Sequence, residues 1–393
     1  MSYKFLVVGA GEGGGRIADK FAEMKFCHRA VAINTSEPDL DGLQHIPQSN
    51  QLKIFTPMHI AGAGKNPDMG EQAARNNADT ITAFLRWHCL AEWAKDKDEQ
   101  RAARCDFILV AVGGGGGTGT GLAVPLTEMC VKLGLPVGMI YTLPVGKSDG
   151  TVTLINALTL LKPLHALAEA GTISPFILVD NEKLLSECGS NITDYWGAVN
   201  LRICQPLHVI NVYSDRASKY VSALDTADLG TLLLSGGCCS LNTFTVANFD
   251  RIDAAREVLH RGYFLNGFDL RTAKAAGLIV VGKANILAKP EATTIYEALN
   301  KEVADCLSGG LIYKGLYEDD RLDHAMRIVT VFNGMALPTE RLDEMLAEMG
   351  RGMSAMEGKE RRVGSFDFSF GSKTALRAPG MDRLSKKLTG RND

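Results

Sequence analysis

The chain has 393 residues, of which 46% are apolar and 22% charged, and its formal net charge is −3 at pH 7. This composition excludes a disordered or fibrous protein and is sufficient for two packed domains. Met1 to Leu6 reads as a short lead into a strand and not as a secretory signal, and no run of about 18 apolar residues predicts a membrane span. The nine cysteines form no CxxC pair, which is typical of reduced thiols in a cytoplasmic protein.

The charge is unevenly distributed along the chain. From Arg351 to Asp393 there are ten Lys/Arg and five Asp/Glu, which gives this segment a charge of +5 and leaves −8 for the residues before it. Beyond Met349 the sequence is rich in Gly, Ser, Lys and Arg and has little apolar periodicity. We therefore predict a flexible basic tail at residues 349–393.

In the first half of the chain, apolar runs alternate with glycine loops and helical segments. The run that begins at Lys4 enters a glycine loop and is followed by helical spacing from Ile17. This alternation predicts a doubly wound, mostly parallel α/β sheet with ligands at the carboxyl ends of its strands. Further strands are predicted at Ala30–Ile33, Asp106–Val112, Val137–Leu143 and Pro175–Val179.

The pattern changes after Thr193. A long helical stretch from about Tyr195 to Val221 leads into a second segment, in which Leu278–Val281 and Met326–Phe332 are the clearest strands. We therefore predict an α/β domain at residues 1–194, a central helix at 195–222 and a smaller α/β domain at 223–348.

The first glycine loop, Gly9-x-Gly11-x-x-Gly14, lies between a predicted strand and a predicted helix. Glycines at such a junction let backbone N–H groups approach phosphates. A dinucleotide site also needs a carboxylate after the second strand, where this chain has Asn34, Thr35 and Ser36. An NAD-dependent oxidoreductase is therefore only a remote alternative.

The second glycine loop is more informative. Gly113 to Gly117 are five consecutive glycines, and Thr118-Gly-Thr-Gly121 follows them. Because each interior glycine costs about 0.5–1 kcal/mol relative to alanine, this run serves neither strand nor helix stability. Its amides can surround a di- or triphosphate, and the Thr118 and Thr120 hydroxyls add donors. No Gly-Lys-Ser/Thr follows at the Walker spacing.

Here the sequence resembles the tubulin/FtsZ superfamily of filament-forming GTPases. The second glycine loop is similar to the superfamily signature, and four further loops follow the order of the superfamily: Glu12–Arg16, Asn34–Thr35, Gly62–Gly70 and Leu143–Gly150 with Asp149. The resemblance implies GTP/GDP as ligand, with Mg²⁺ held by phosphates and water and not by a protein metal site. The implied nucleotide-binding residues are Gly11, Glu12, Gly13, Gly14, Gly15, Arg16, Asn34, Gly62, Ala63, Gly64, Asn66, Gly114, Gly115, Gly116, Gly117, Thr118, Gly119, Thr120, Asp149, Asn181, Trp196 and Asn200.

The residue types at the implied guanine site suit base recognition. Trp196 and Asn200 are four apart and therefore share one face of a helix. The indole can stack on a purine, and the amides of Asn181 and Asn200 can read its edge.

The candidate catalytic residues follow the central helix. The resemblance places hydrolytic carboxylates on a loop that enters the nucleotide site of the next subunit, and Leu224-Asp225-Thr-Ala-Asp228-Leu229 matches that loop. It implies Asp228 as the group that orients water and Asp225 as its assistant. Asp is also a favoured helix N-cap, so a purely structural role for Asp225 stays open.

Within the superfamily, Arg16, Thr153 and Ala223 differ from FtsZ, and the loops are closer to CetZ-like proteins, with TubZ-like plasmid and phage proteins second. The predicted function is a head-to-tail homopolymer that hydrolyses GTP and acts in cell shape, division or DNA segregation. The alternative is a filament with weak hydrolysis that positions plasmid or phage DNA. The basic tail, with Phe366–Phe370, is a candidate adaptor site, and we expect no membrane insertion and no direct nucleic-acid binding.

Overall fold

The computed structural model describes residues 3–25, 29–57, 61–188, 195–220, 222–246, 264 and 267–363. Ten strands form one sheet in the order β3-β2-β1-β4-β5-β6-β7-β10-β8-β9. The strands are β1 (Phe5–Ala10), β2 (Arg29–Asn34), β3 (Gln51–Lys53), β4 (Phe107–Gly113), β5 (Val137–Leu143), β6 (Phe176–Asp180), β7 (Cys238–Val246), β8 (Ala275–Gly282), β9 (Leu311–Glu318) and β10 (Met326–Met335).

Helices flank these strands. They are α1 (Gly11–Glu23), α2 (Glu37–Asp41), α3 (Pro67–Asn76), α4 (Ala78–Cys89), α5 (Lys97–Ala103), α6 (Thr118–Val131), α7 (Gly146–Asp149), α8 (Thr151–Glu169), α9 (Asn181–Cys188), α10 (Tyr195–Tyr213), α11 (Thr226–Leu233), α12 (Ala284–Leu287), α13 (Pro290–Cys306) and α14 (Thr339–Val363). Within the described residues, short 3-10 turns occur at Gln48–Asn50 and Leu270–Thr272.

The first six strands are parallel, and their order 3-2-1-4-5-6 is that of a doubly wound sheet. The predicted fold class is therefore confirmed. Strand β1 pairs with β2 on one side and with β4 on the other, so the strand order reverses between β1 and β4. Ligands of such sheets bind at the carboxyl ends of the strands beside this reversal.

The sheet separates two hydrophobic cores because successive side chains of a strand point to opposite faces. In β1, Leu6 and Val8 belong to one core and Phe5 and Val7 to the other, and all four are fully buried. Burial on both faces explains why this strand reads as a continuous apolar run.

The sheet continues into the second half of the chain. Strand β7 pairs in parallel with β6 and antiparallel with β10, which also pairs antiparallel with β8. The described residues up to Gly350 form one compact unit. The domain divisions at 194 and 222 within this unit stay predictions.

Two predicted boundaries differ from the structure. Helix α10 ends at Tyr213, because the chain turns at Ser214 to Arg216, and does not reach residue 221. Helix α14 runs past the predicted start of the tail at 349 as far as Val363, since its Ala, Met, Glu, Lys and Arg residues favour helix. The remainder of the predicted tail, with Phe366–Phe370, lies outside the described residues.

Helix α8 is the one helix in the described part of the chain that is long and apolar enough to cross a membrane. Length and composition alone are weak evidence for a span. One face of the helix is buried in the core through Leu154, Ala157, Leu161, Leu164 and Ala168. We interpret α8 as a core helix on that basis.

Candidate nucleotide site

A cleft of about 420 Å³ lies at the carboxyl ends of β1 and β4. Helix α1 begins directly after β1, and α6 begins at the end of the second glycine loop. A helix N-terminus presents unpaired N–H groups and a partial positive charge to such a cleft, which favours phosphate. The predicted residues that line the cleft are Glu12, Gly13, Arg16, Asn34, Gly62, Ala63, Gly64, Gly114, Gly116, Gly117, Thr118, Gly119, Asp149, Asn181, Trp196 and Asn200.

The remaining predicted loop glycines lie behind the cleft wall and permit close backbone packing. A Cβ added at Gly11, whose φ is +69°, would be 2.6 Å from the amide nitrogen of Gly119. A Cβ at Gly14 would clash with the carbonyl oxygen of Ala111 on β4. Gly15 is buried and faces the side chain of Leu43. Gly11 therefore brings the first loop against the second, and Gly14 brings it against β4.

The second glycine loop is closed by its own hydrogen bonds. The Gly115 amide donates to the Thr120 hydroxyl at 3.1 Å, and neither residue lines the cleft. The hydroxyls of Thr118 and Thr35 are hydrogen-bonded at 2.6 Å, which joins this loop to the one after β2. The two threonine hydroxyls therefore hold the loop's shape, and the amides of the neighbouring glycines are the groups available to a ligand.

Two further loops at the phosphate end of the cleft, which is the end beside the glycine loops, follow β2 and β3. Asn34 is buried, and its side chain donates to Asp39 and accepts from the Ser36 amide. The Asn66 side chain does not line the cleft and instead caps α3 by accepting from the Asp68 amide at 3.0 Å.

Sequence reasoning missed several residues that line the cleft. Lys65 is the most informative, because it is a cation between the Gly62–Gly64 loop and the helix cap at Asn66, and its Nζ donates to the Thr153 hydroxyl at 3.1 Å. Its place beside glycines in a loop was the signal that would have found it. The others missed are Ala10, Ile17, Ser36, Asp39 and Thr142, whereas Gly113 and Pro144 also line the cleft and belong to loops that the sequence did predict.

The charges in the cleft are mixed. Arg16 and Glu12 form an ion pair at 2.6 Å and both are exposed, while Lys65 faces the same space. A Cβ added at Gly62, Gly64 or Gly116 would meet no atom within 4 Å, so these glycines leave the cavity open to a bulky anion. This cradle fits a di- or triphosphate. Among the described residues no group of three or more His, Cys, Asp or Glu is arranged to hold a metal ion.

The base end of the cleft is formed by α9 and α10. Asn181 begins α9 directly after β6, and Trp196 and Asn200 lie one helical turn apart on α10. Trp196 is 44% exposed and Asn200 is 6% exposed. A half-exposed indole beside a buried amide provides a flat apolar surface and polar groups for a planar base.

Next to this end lies a buried carboxylate. Asp180, the last residue of β6, is 3% exposed and forms an ion pair with Arg341 of α14 at 2.8 Å. Burial raises the pKa of Asp180 above its ordinary value, and the guanidinium of Arg341 limits the rise.

The candidate catalytic aspartates lie outside the cleft. Asp225 accepts from the Asp228 amide at 2.8 Å, and the Asp228 carboxylate accepts from the Asp225 amide at 3.3 Å, which forms a capping box at the start of α11. The side chain of Tyr3, just before β1, donates to the carbonyl of Thr226 at 3.2 Å. The aspartates are therefore near the amino end of β1, whereas the cleft is at its carboxyl end.

Comparisons with known proteins agree with this site. Residues 4–189 match the model of the Tubulin/FtsZ family, GTPase domain. The tubulin-like protein CetZ of Pyrococcus abyssi is 27% identical over 367 residues, which cover 90% of this chain and 92% of CetZ.

Two solved structures share the fold. TubZ of Bacillus thuringiensis serovar israelensis, in a GTPγS-form protofilament, aligns with a TM-score of 0.77 and 21% identity over 92% of this chain and 94% of TubZ. CetZ of Methanosaeta thermophila aligns with a TM-score of 0.68 and 22% identity over 92% of this chain and 94% of CetZ. The chain is therefore similar to proteins of the tubulin/FtsZ family, and residues 4–189 are the part that matches the family's GTPase domain.

Proposed function

We propose that this protein binds GTP in the cleft, assembles head to tail into filaments and hydrolyses GTP where one copy meets the next. The main observation in support of this proposal is that Asp225 and Asp228 lie far from the cleft of their own chain. The 19-residue helix α10 begins at the base end of the cleft and leads towards the Asp225–Asp228 loop. At about 1.5 Å per residue it spans roughly 28 Å. Asp228 is too far to orient water on a γ-phosphate bound in its own chain.

A head-to-tail stack removes this separation. It places the Asp225–Asp228 loop of one copy against the cleft of the neighbouring copy. Asp228 then orients the attacking water, and Asp225 assists it. The glycine amides and the N-termini of α1 and α6 bind the phosphates, and Mg²⁺, held by the phosphates and water, would offset charge on them when bound.

The capping box supports a second candidate function. Asp225 and Asp228 satisfy each other's backbone amides, which gives both residues a structural role without catalysis. A filament that binds GTP but hydrolyses it poorly is consistent with this arrangement. In both cases we propose a cytoplasmic filament with a role in cell shape, division or DNA segregation and with an adaptor at the basic tail. The tubulin-like relatives CetZ and TubZ, and the protofilament form of TubZ, support a filament.

The test is phosphate release and pelleting of the purified protein with GTP, ATP or NAD over a range of protein concentrations. We expect release that is specific for GTP and begins only above a critical concentration, together with GTP-dependent pelleting. Pelleting without release supports the weakly hydrolysing filament. A rate proportional to protein concentration and no pellet would contradict a site shared between copies.

A further inference from the structure

One arginine of helix α14 binds two carboxylates at the base end of the cleft. Arg341 is 8% exposed, and its guanidinium donates to Asp180 at 2.8 Å and to Glu182 at 2.6 Å. The planar guanidinium can serve two carboxylates at fixed angles, which the single ammonium of a lysine cannot reproduce.

Both carboxylates are attached to parts of the cleft. Asp180 directly precedes Asn181, which lines the base end. The Glu182 oxygen that pairs with Arg341 also accepts from the Gly146 amide at 3.2 Å. Gly146 begins α7, whose last residue, Asp149, lines the cleft as well. Arg341 therefore holds Glu182, and Glu182 in turn joins the Asn181 segment to the Gly146–Asp149 segment.

A second residue of the same helix supports this contact. A Cβ added at Gly146 would clash with the carboxylate of Glu348, which lies two turns after Arg341 on α14. Helix α14 therefore approaches the α7 loop directly through Glu348 and indirectly through the contact of Arg341 with Glu182.

We propose that Arg341 is a positioning residue for the nucleoside half of the nucleotide, so that helix α14 sets the affinity for the base and ribose without contacting them. This inference rests on the proposed function, since it takes GTP as the ligand. The phosphate loops follow β1 and β4, and β5 separates β4 from β6, which carries Asp180. Loss of Arg341 leaves the buried Asp180 without its cation and releases both segments at the base end.

The test compares GDP with inorganic tripolyphosphate as ligands of the full chain, by isothermal titration calorimetry in the presence of Mg²⁺. For Arg341→Met we expect GDP affinity to fall about tenfold, the usual effect of losing a hydrogen bond to a charged group, with tripolyphosphate affinity unchanged. The GDP affinity of Arg341→Lys is expected to lie between that of Arg341→Met and that of the wild type. Arg29→Met, a half-buried arginine at the amino end of β2, is the matched control and should leave both affinities unchanged.

Glu182→Gln keeps the test decisive if Arg341→Met does not fold, because Glu182 is half exposed and its loss leaves no new buried charge. It should lower GDP affinity by a smaller factor, again without an effect on tripolyphosphate. Folded variants with wild-type GDP affinity, or a parallel loss for both ligands, would overturn the proposal. A wild-type protein that binds tripolyphosphate but not GDP would instead refute the proposed function.

Discussion

The hydroxyl of Tyr317 holds both backbone groups of Leu224: it accepts from the Leu224 amide at 2.8 Å and donates to the Leu224 carbonyl at 3.1 Å. Tyr317 lies on β9, is 2% exposed, and contacts a residue that directly precedes Asp225. The strand thereby fixes the loop that carries the two candidate catalytic aspartates.

The variant Tyr317→Phe removes only the hydroxyl, and leaves a buried N–H and a buried carbonyl unpaired at a cost of about 1–3 kcal/mol. We expect the GTP turnover per assembled subunit to fall about tenfold because Asp228 is less well placed. GDP affinity should not change, since the cleft is remote from the loop. Tyr313→Phe on the same strand is the control. Equal turnover in the two variants would show that the hydrogen bonds between Tyr317 and Leu224 have no role in hydrolysis.

The role of Asp228 can be separated from its role in the capping box. Asp228→Asn keeps an oxygen that accepts from the Asp225 amide but removes the carboxylate. We expect turnover to fall by about 100-fold or more, with GDP binding intact and filaments that persist longer after GTP is added. Asp228→Ala also loses the cap and should unfold about 1 kcal/mol more easily. Full turnover in Asp228→Asn would assign Asp228 to the cap alone.

The parts of the site that were predictable from sequence are those encoded by neighbouring residues. The glycine run from Gly113 and the strand before it were recognisable because five glycines after a buried strand favour a phosphate-binding loop over a purely structural turn. The sequence left a capping role open for Asp225, and the resemblance implied catalytic roles for Asp225 and Asp228. The contact of Thr226 with Tyr3 places both aspartates near the amino end of β1, which no local pattern predicted.

The parts that were not predictable depend on contacts between distant residues. Arg341 is 161 positions from Asp180, and no local pattern marks it as a partner of the base end. Gly11 and Gly14 were predicted as ligand contacts, whereas their places are explained by packing against Gly119 and Ala111. A glycine needed for a ligand and a glycine needed for a backbone contact have the same sequence pattern.

These two uses of glycine can be told apart by a matched pair of variants. Gly14→Ala introduces a methyl group that clashes with the carbonyl of Ala111, whereas Gly116→Ala places its methyl group in open space in the cleft. We expect Gly14→Ala to lose about 1–3 kcal/mol of unfolding free energy. Gly116→Ala should keep its stability and lose affinity for GDP. Urea unfolding and calorimetry measure the two effects, and the reverse assignment would contradict our interpretation of the loops.

His88 gives the protein a predictable response to acid. It is 5% exposed on α4, and burial, with a smaller contribution from Arg29, lowers the pKa of His88 to about 4. In the unfolded chain its pKa is about 6.5, so between pH 6.5 and 4 the unfolded state binds a proton that the folded state does not. The stability associated with neutral His88 is therefore complete above pH 6.5 and is lost as the pH falls to about 4.

The replacement His88→Phe abolishes this titration while it retains a ring of similar size against Phe84, whose ring centroid is 4.6 Å away. Between pH 7 and pH 4 the wild type should lose about 3 kcal/mol of unfolding free energy through His88, and the variant should not lose this contribution. Urea unfolding at pH 7, 6, 5 and 4 measures the difference. His45→Phe is the control, because His45 is exposed and pairs with Asp19 at 3.0 Å. If the free-energy difference between wild type and His88→Phe does not vary with pH, His88 does not titrate as a buried neutral base.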